Sequence, residues 1–232
     1  MSPKSNPKAV QTFRNRLTRW FARAGRDLPW RRTRDPYAIL VSEFMLQQTQ
    51  VSRVLAYYPR FLGRYPSIGH LARARPAQVR EAWDGLGYYR RAANLHRLAR
   101  TVVSEHRGQV PRSEADLRSL PGVGHYTAGA VACFAFEQPA ATLDTNVARV
   151  LTRAFHGRGR APKSGKTTRA LTALALHLQP RAGKSAWTFN QSLMELGALV
   201  CTARNPDCER CPVQRNCRWK AGKRESMNSS AL

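Results

Sequence analysis

The sequence predicts an all-α fold. Apolar residues recur at helical spacing in segment after segment, and short loops rich in Gly, Pro and Arg join these segments. Two of the segments are separated only by Pro121–Gly124, a link too short for anything but a tight hairpin. With 42% hydrophobic residues over 232 positions, the chain can bury a substantial core as one or two domains.

The chain begins with an amphipathic helix pattern at residues 9–24, which Gly25 is expected to end. A basic, irregular loop follows at residues 26–36, in which Trp30 can either fill the core or stack on a base. The longest helix pattern covers residues 37–58, where apolar residues keep the spacing of one buried face. One continuous helix is therefore predicted there.

Glu43 is the only charged residue between positions 38 and 52, and Gln47 and Gln50 are predicted one turn apart on its face of the helix. A single Glu on a helix is usually solvated. A desolvated one can hold its proton near neutral pH, as a general acid requires. The neighbouring run Gln47–Gln50 offers side-chain amides that can bond base edges.

In the middle of the chain, the spacing of apolar residues predicts short helices at residues 68–74 and 78–83, and a helix with a basic face at residues 92–106. The glycines between them predict a tight turn at Gly85–Tyr89. The turn carries two adjacent aromatic residues beside two arginines. An aromatic side chain at such a turn can wedge into a base stack, or it can simply pack.

The hairpin joins predicted helices at Ser113–Ser119 and His125–Phe136, with Ser113 as the N-cap of the first. Its glycines allow positive φ and close approach to another molecule. The second helix begins with free N–H groups and a positive dipole end, which suits a phosphate. An ordinary turn between two helices is the alternative.

Asp144 lies where the pattern changes from extended to helical, so it is predicted at or near an N-cap. Hydrogen bonds from backbone N–H groups there are expected to keep its pKa low and the carboxylate charged. The last two helices are predicted at residues 167–179 and 186–200, after a basic loop at residues 158–166.

The net charge is +25, from 39 Lys and Arg against 14 Asp and Glu, and the sequence pI is about 11.3. Because these charges are spread over the whole chain, they indicate a polyanionic partner, and nucleic acid is favoured over a solvated basic face or an anionic membrane. No apolar run is long enough to span a bilayer, and no signal peptide is visible at the N-terminus. A reducing, cytoplasmic location is expected.

Four cysteines lie close together at the C-terminal end: Cys201, Cys208, Cys211 and Cys217. Structural zinc is one interpretation, but zinc ribbons mostly use two Cys-x2-Cys pairs and only one gap here has that length. The uneven spacing favours a [4Fe–4S] cluster, although spacing alone leaves both open. The fifth cysteine, Cys133, lies in an apolar helix pattern and is expected to be a small buried residue.

These residues resemble the helix-hairpin-helix DNA glycosylases that carry an iron–sulfur cluster, the group that contains endonuclease III. The resemblance covers about residues 8–219, and four blocks carry it: Leu120–Gly124, Asp144 with Asn146 and Val147, the four cysteines, and Phe189 with Asn190. It implies two lobes, a [4Fe–4S] cluster on the four cysteines, and an active site in the groove between the lobes. One lobe is expected at residues 29–136, the other at residues 1–28 plus 137–219, with a polar tail at residues 220–232.

Two comparisons within this family refine the expected activity. Endonuclease III has a lysine two residues after the last hairpin glycine, whereas this chain has Tyr126, which cannot form a Schiff base, so base removal without strand cleavage is expected. The blocks Leu28–Trp30, Met45–Val51 and Gly85–Tyr89 resemble adenine glycosylases of the MutY type. Mismatch thymine and uracil glycosylases share Tyr126 and Asp144 but lack the last two blocks, and they are the alternative.

The resemblance also implies roles for single residues. Glu43 resembles the acid that protonates N7 of a flipped adenine, and Asp144 the carboxylate that stabilises or attacks C1′. Tyr126 would orient Asp144 and close the pocket, and Asn146 would hold water or Glu43 in place. The pocket residues would be Arg26, Trp30, Leu46 and Val51. Gln48 and Tyr88 match the wedge that fills the gap left by the flipped base. The hairpin residues Leu120, Gly122, Val123, Gly124 and His125 would contact DNA.

Two departures from the adenine branch stand out. Those enzymes usually continue into a C-terminal domain that recognises 8-oxoguanine, whereas this sequence stops at Leu232, and Thr145 replaces a usual glycine. The first departure weakens the expectation of 8-oxoguanine recognition and leaves plain guanine, or a broader range of opposite bases, as alternatives. The expected partner is mismatched duplex DNA, bound by a monomer, with A:G or A:8-oxoG as the substrate. A non-catalytic DNA-binding protein remains a remote alternative.

Overall fold

A computed structural model describes residues 7–159, 164–181 and 183–222, and within these ranges the chain is helical without β-strands, which confirms the predicted all-α class. It divides into two compact units, one of residues 1–26 and 138–232, the other of residues 27–137. Most of the expected polar tail lies outside the described residues, but residues 218–222 form a further short helical stretch. The predicted loop at residues 158–166 is described except for residues 160–163.

The helices, in chain order, are α1 (Pro7–Ala24), α2 (Pro36–Leu46), α3 (Val51–Arg64), α4 (Ile68–Arg73), α5 (Pro76–Ala82), α6 (Arg90–Glu105), α7 (Glu114–Ser119), α8 (His125–Phe134), α9 (Thr145–His156), α10 (Gly165–Leu178) and α11 (Gly183–Leu199). Short 3-10 turns add Pro29–Arg31 and Gln214–Asn216. Most boundaries lie within three residues of the predicted ones.

The long helix predicted over residues 37–58 is wrong, because the structure has two helices there. The first, α2, begins after the N-cap Asp35, whose carboxylate accepts from the Tyr37 N–H (3.0 Å), and it ends at Leu46. The second, α3, begins at Val51, and Gln48 between them has a φ of +57°. Glu43 therefore does not share one helix face with Gln47 and Gln50.

The unit of residues 27–137 is built around α2, which is apolar on nearly every side and packs against α3, α6 and α8. Such all-round hydrophobicity is expected of a helix in the centre of a core. The fully buried side chains of Phe44, Phe61 and Trp83 fill the space around it, with the Phe61 and Trp83 rings edge to face at 5.6 Å. This packing places Glu43 inside the unit.

The unit of residues 1–26 and 138–232 buries one apolar stripe from each of its helices. Val10, Phe13 and Leu17 of α1 pack in the same core cluster as residues of α9, α10 and α11. After α11 the chain enters the cysteine loop, and Cys201 and Cys211 lie against this core. The loop is therefore anchored on one side by the apolar cluster.

Candidate functional site

Glu43 is the one carboxyl group on α2, and it is only 4% exposed. Its chain neighbours Ser42 and Phe44 are also buried. A carboxyl in such surroundings is more easily kept protonated than one in water. The sequence expectation of a desolvated acid is therefore met by the burial of this side chain.

The predicted wedge residues, Gln48 and Tyr88, are both exposed, and both have left-handed backbone conformations, with φ of +57° and +48°. Tyr88 is 59% exposed, although a large aromatic ring usually gains by burial. The pocket candidates Leu46 and Val51 are half-buried on either side of the Gln48 loop. Both loops thus present polar or aromatic side chains outward on tightly bent backbone.

The hairpin between α7 and α8 turns at Gly122, whose φ is +78°, and a Cβ there would lie 2.7 Å from the Asn94 side chain. Gly124 has extended backbone as the N-cap of α8, and a Cβ there would meet no atom within 4 Å. The expectation of positive φ therefore holds for Gly122 and is wrong for Gly124. Open space beside Gly124 leaves room for another molecule at the helix N-terminus.

Other hairpin residues divide into buried and accessible ones. The side chains of Leu120 and Val123 are buried, and the Val123 N–H donates to the Leu120 carbonyl (3.1 Å), so these two residues hold the turn together. Because both side chains are buried, the DNA contact that the resemblance implies for Leu120 and Val123 would fall to their backbone, and it stays a prediction. His125 is exposed and Tyr126 half-buried, on the first turn of α8.

Asp144 is the N-cap of α9, as predicted. Its Oδ1 accepts from the Val147 N–H (2.6 Å) and its Oδ2 accepts from the Asn146 side-chain amide (3.2 Å). Asn146 thus holds Asp144, whereas the resemblance implied that it would hold water or Glu43. The two hydrogen bonds fix the carboxylate plane at the start of the helix.

The expectation of a low pKa for Asp144 is wrong, because burial raises it. The hydrogen bonds from Val147 and Asn146 and the charge of Arg149 act in the opposite direction but do not outweigh the loss of solvent. Capping was visible in the sequence, whereas burial of the cap was not. Partial loss of solvent therefore makes the ionised form of Asp144 less favourable in the folded protein than in water.

Arg149 connects Asp144 to the cysteine loop through a short chain of hydrogen bonds. Its Nη2 donates to the Asn146 side-chain oxygen (2.7 Å) and to the Gly197 carbonyl (2.7 Å), and its Nε donates to the Cys201 carbonyl (2.7 Å). The amide that holds Asp144 is therefore itself held by a cation. Gly197 also permits close packing here, since a Cβ on it would lie 2.7 Å from the Asn146 Cβ.

The pocket candidate Arg26 forms a bidentate ion pair with Glu195, with Nε to Oε1 at 2.8 Å and Nη2 to Oε2 at 2.9 Å. The Arg26 backbone N–H also donates to Oε1 (2.8 Å). Glu195 is 1% exposed, and its hydrogen bond raises the pKa of Arg26. The other pocket candidate, Trp30, is buried in the other unit with its ring edge to face on Tyr58 at 5.5 Å.

The four cysteines of the C-terminal loop line one partly open pocket together with Trp219 and Lys220. In the part of the chain that the structure describes, no three His, Cys, Asp or Glu side chains converge as they would around a single metal ion. Four thiols around one pocket could hold either a zinc ion or an iron–sulfur cluster. Burial raises the pKa of Cys211 to about 12, so a bound metal cation would be what keeps this sulfur as a thiolate.

Arg153 braces the same loop from α9 and is itself buried. Its guanidinium donates to the carbonyls of Thr202 (2.7 Å) and Ala203 (3.0 Å) and approaches the Cys201 sulfur at 3.5 Å. It also lies 4.5 Å from the centroid of the Trp219 ring. A single cation thereby fixes the loop backbone next to the first cysteine.

Comparison with known proteins identifies the family. Residues 41–175, more than half of the chain, match the HhH-GPD superfamily of base excision DNA repair proteins. The chain belongs to this superfamily. Residues 201–217 match the iron–sulfur binding domain of endonuclease III, from the first cysteine of the loop to the last. The four cysteines of this HhH-GPD protein therefore bind a [4Fe–4S] cluster.

Several named proteins resemble this HhH-GPD chain over most of its length. The adenine DNA glycosylase of Mycolicibacterium smegmatis is 50% identical over 206 residues, which cover 88% of this chain and 68% of that protein. The adenine DNA glycosylase of Mycobacterium tuberculosis is 47% identical over 207 residues, covering 88% and 66%. The chain thus spans about two thirds of the length of these relatives.

Among solved structures, a thermostable thymine-DNA glycosylase superposes with a TM-score of 0.84 at 34% sequence identity. The aligned region covers 93% of this chain and 98% of the thymine-DNA glycosylase chain. The predicted family resemblance and the all-helical glycosylase fold are confirmed by these matches. Among the described residues, no helix of this HhH-GPD protein is long and apolar enough to cross a membrane.

Four residues with structural roles were missed in the sequence: Arg149, Arg153 and Glu195, described above, and Arg91, which donates hydrogen bonds to the carbonyls at the end of α2. Two of them carried a signal. Glu195 is a single carboxylate in an apolar helical run, which is the criterion that selected Glu43. Arg91 lies on the stripe of Leu95 and Leu98, so a charge occupies a position that helical periodicity assigns to the core.

Proposed function

We propose that this chain is a monofunctional adenine DNA glycosylase of base excision repair, which hydrolyses the N-glycosidic bond of adenine mispaired with guanine or 8-oxoguanine. The observation that carries the proposal is 50% identity to an adenine DNA glycosylase over 88% of the chain. The enzyme acts as a monomer on mismatched duplex DNA in the cytoplasm, at the nucleoid.

Glu43 and Asp144 perform the chemistry in this proposal. Protonated Glu43 gives its proton to N7 of the flipped adenine, and the C1′–N9 bond breaks with its electron pair leaving on the base. Ionised Asp144 stabilises the positive charge at C1′ or bonds to it. Water then adds its hydroxyl to C1′ and returns a proton to Glu43, so both carboxyls regain their starting states.

The surroundings of the two carboxyl groups support these roles. Glu43 is buried within an apolar helix, away from bulk water. Asp144 is half-buried and oriented by Val147 and Asn146, and its pKa is raised by partial loss of solvent, so a developing positive charge at C1′ is a favourable partner for its ionised form. Electrostatic stabilisation is thereby stronger in the transition state than in the ground state.

The side chain of Tyr126 supports hydrolysis without strand cleavage. It occupies the second position of α8, where endonuclease III has its lysine by the resemblance described above. A phenol cannot form an imine with the sugar aldehyde. We therefore propose that strand breaks appear only after the abasic product is treated with alkali.

A panel of labelled duplexes tests the proposal, with adenine, thymine or uracil opposite guanine, adenine opposite 8-oxoguanine, and matched pairs. Released base is identified by chromatography, and breaks are scored with and without alkali. Glu43→Gln is expected to lower the single-turnover rate of adenine release by about 10²–10⁴-fold. Glu105→Gln, on the exposed end of α6, serves as the matched control and should keep the wild-type rate.

The thymine-DNA glycosylase that superposes at a TM-score of 0.84 supports a second candidate, excision of thymine or uracil opposite guanine. Release of these bases without adenine would replace the first proposal with the second. A chain that binds these duplexes but releases no base, whether or not Asp144 is changed to Asn, would be a DNA-binding protein without catalytic activity.

A further inference from the structure

Arg91, the second residue of α6, is a buried cation that the proposed chemistry does not use. It is 6% exposed, and no carboxylate in the described ranges forms an ion pair with it. A buried guanidinium is costly unless other groups compensate its charge. The compensation comes from backbone carbonyls of the two segments that carry the wedge candidates, and from the aromatic rings of Tyr88 and Trp83.

One nitrogen of the guanidinium closes the end of α2. Nη1 donates to the carbonyls of Phe44 (3.0 Å) and Met45 (2.7 Å) and to that of Gln47. The last carbonyls of a helix lack partners within the helix and carry partial negative charge, so a cation there is favourable. The next residue after this bonded segment is Gln48, which turns into the left-handed region.

The other terminal nitrogen holds the Gly85–Tyr89 turn. Nη2 donates to the carbonyls of Leu86 (3.2 Å) and Gly87 (3.1 Å), and the guanidinium lies 5.3 Å from the Tyr88 ring and 5.5 Å from the Trp83 ring. The next residue after these carbonyls is again left-handed, in this case Tyr88. Non-glycine residues persist in this conformation only where the surroundings determine it.

The geometry points to Arg91 as a positioning residue for the proposed reaction. One planar fork binds the backbone just before Gln48 and just before Tyr88, and so sets the distance between the two proposed wedge side chains. It also ties both loops to the helix of Glu43. This inference rests on the proposed function, because it assigns the fork to the step in which the base is extruded.

Lysine cannot replace this arginine. An ammonium group is a compact donor on a flexible stem, whereas the carbonyls here face two separate nitrogens of a rigid plane. Arg91→Met removes every donor and keeps the length of the stem, and Arg91→Lys keeps the charge without the fork. Arg100→Met, on the exposed face of the same helix, is the matched control.

The first measurement uses the free protein and does not depend on catalysis. Hydrogen exchange of the amides in residues 47–51 and 87–90 is expected to be faster in both segments of Arg91→Met and unchanged in Arg100→Met. Wild-type exchange in either segment of a folded Arg91→Met protein overturns the inference. If Arg91→Met does not fold, hydrogen exchange in the same two segments is measured in Arg91→Lys, with the same expected and contradicting results.

The second measurement follows extrusion and base release on duplex DNA. With 2-aminopurine at the target position, Arg91→Met should lose the fluorescence rise of the flipped base, and single-turnover release from A:G duplex should fall about 10²-fold. The dissociation constant for a matched duplex, and its salt dependence, should stay within about twofold of the wild type, because this buried guanidinium cannot neutralise a phosphate.

Loosened segments with unchanged extrusion and release would overturn the positioning role. A wild-type protein that releases no adenine would instead contradict the proposed function. The hydrogen-exchange result would still show whether Arg91 holds the two segments, because that measurement does not depend on catalysis.

Discussion

At the scale of single residues, the carboxyl group of Asp144 is the clearest case of function set against stability. The N-cap bonds from Val147 and Asn146 orient it, yet burial raises its pKa, so the ionised form is unfavourable in the free protein. Active sites commonly hold charged groups at positions where a neutral side chain would make the folded protein more stable. Asp144 should therefore lower the stability of the fold while it serves the reaction.

Asp144→Asn is expected to abolish most base release, by about 10³-fold, and to raise the melting temperature at pH 7. The folded state holds the Asp144 proton more tightly than the unfolded chain, whose ordinary pKa is 3.8. The free-energy cost that the ionised Asp144 imposes on folding is thus absent below the unfolded pKa. It grows as the pH rises from that pKa to the raised pKa of the folded state, and it is complete above the raised pKa. The gain in melting temperature should therefore shrink as the pH is lowered towards 4.

Asp35→Asn provides the control for capping, because Asp35 is the N-cap of α2 and accepts from Tyr37 but is exposed. Asparagine caps a helix about as well as aspartate, so this change should leave the melting temperature nearly constant. Calorimetry across pH measures both variants. A melting temperature of Asp144→Asn below the wild type at neutral pH would show that the ionised carboxylate is not a burden on the fold.

The sequence was sufficient to find this residue but not to describe its electrostatics. A change from extended to helical pattern identifies an N-cap, because capping is a local property of a few neighbouring residues. Burial of Asp144 depends on packing with distant segments such as α11, whose Gly197 is in contact with Asn146. Hence the cap was predicted correctly and the direction of the pKa was not.

At the scale of elements, the loop that follows α2 and the hairpin that precedes α8 differ in how far their local sequences determine the backbone conformation. Gly122 adopts the positive φ that only glycine takes easily, and its sequence context of Pro and Gly predicts a turn. The Gln47–Gln50 loop contains no glycine or proline, and glutamine is a good helix former. Arg91, more than forty residues away in the chain, bonds the carbonyls where α2 ends, so the break could not be predicted locally.

The two hairpin glycines should respond differently to alanine. Gly122→Ala should destabilise the fold by about 1–2 kcal/mol or more, because a left-handed alanine is strained and its Cβ would collide with Asn94. Gly124→Ala should change stability by no more than about 0.5 kcal/mol, because its φ is −92° and no atom lies within 4 Å.

The two variants should rank in the opposite order for binding to duplex DNA from their order for stability. A methyl group at Gly124 fills space at the N-terminus of α8, so Gly124→Ala should weaken binding to duplex DNA although it remains as stable as the wild type. Urea titration and fluorescence anisotropy measure the two properties. Equal affinity of Gly124→Ala and the wild type would show that the phosphate backbone does not approach this glycine.

The cysteine loop is held to α9 by Arg153, which donates hydrogen bonds to the carbonyls of Thr202 and Ala203. Arg153→Met leaves these acceptors without their donor and should cost about 3 kcal/mol of stability. It should also hasten the loss of visible cluster absorbance in air. Arg210→Met, at an exposed position of the same loop, should do neither, and equal cluster lifetimes in the two variants would contradict this bracing role.

At the scale of the whole molecule, net charge and specific recognition are separable. The excess of 25 positive charges is spread over the chain, whereas the residues proposed to recognise and remove a base are few and mostly uncharged or acidic. Phosphate contacts set affinity and register, and contacts with the base set specificity. The chain's composition could therefore predict the class of partner, while the choice between adenine and thymine required particular blocks and relatives.

This separation predicts how salt affects binding. If six to ten phosphates are neutralised, affinity for any duplex should fall by about 10³–10⁵-fold between about 50 and 200 mM salt, with a straight line of log Kd against log salt. The ratio of affinities for an A:G duplex and a matched one should change by less than about threefold over the same range, because base contacts release few counterions. Anisotropy titrations with both duplexes measure the two slopes. Parallel lines are expected, and a flat line for the matched duplex would mean that the basic surface of this protein serves some partner other than DNA.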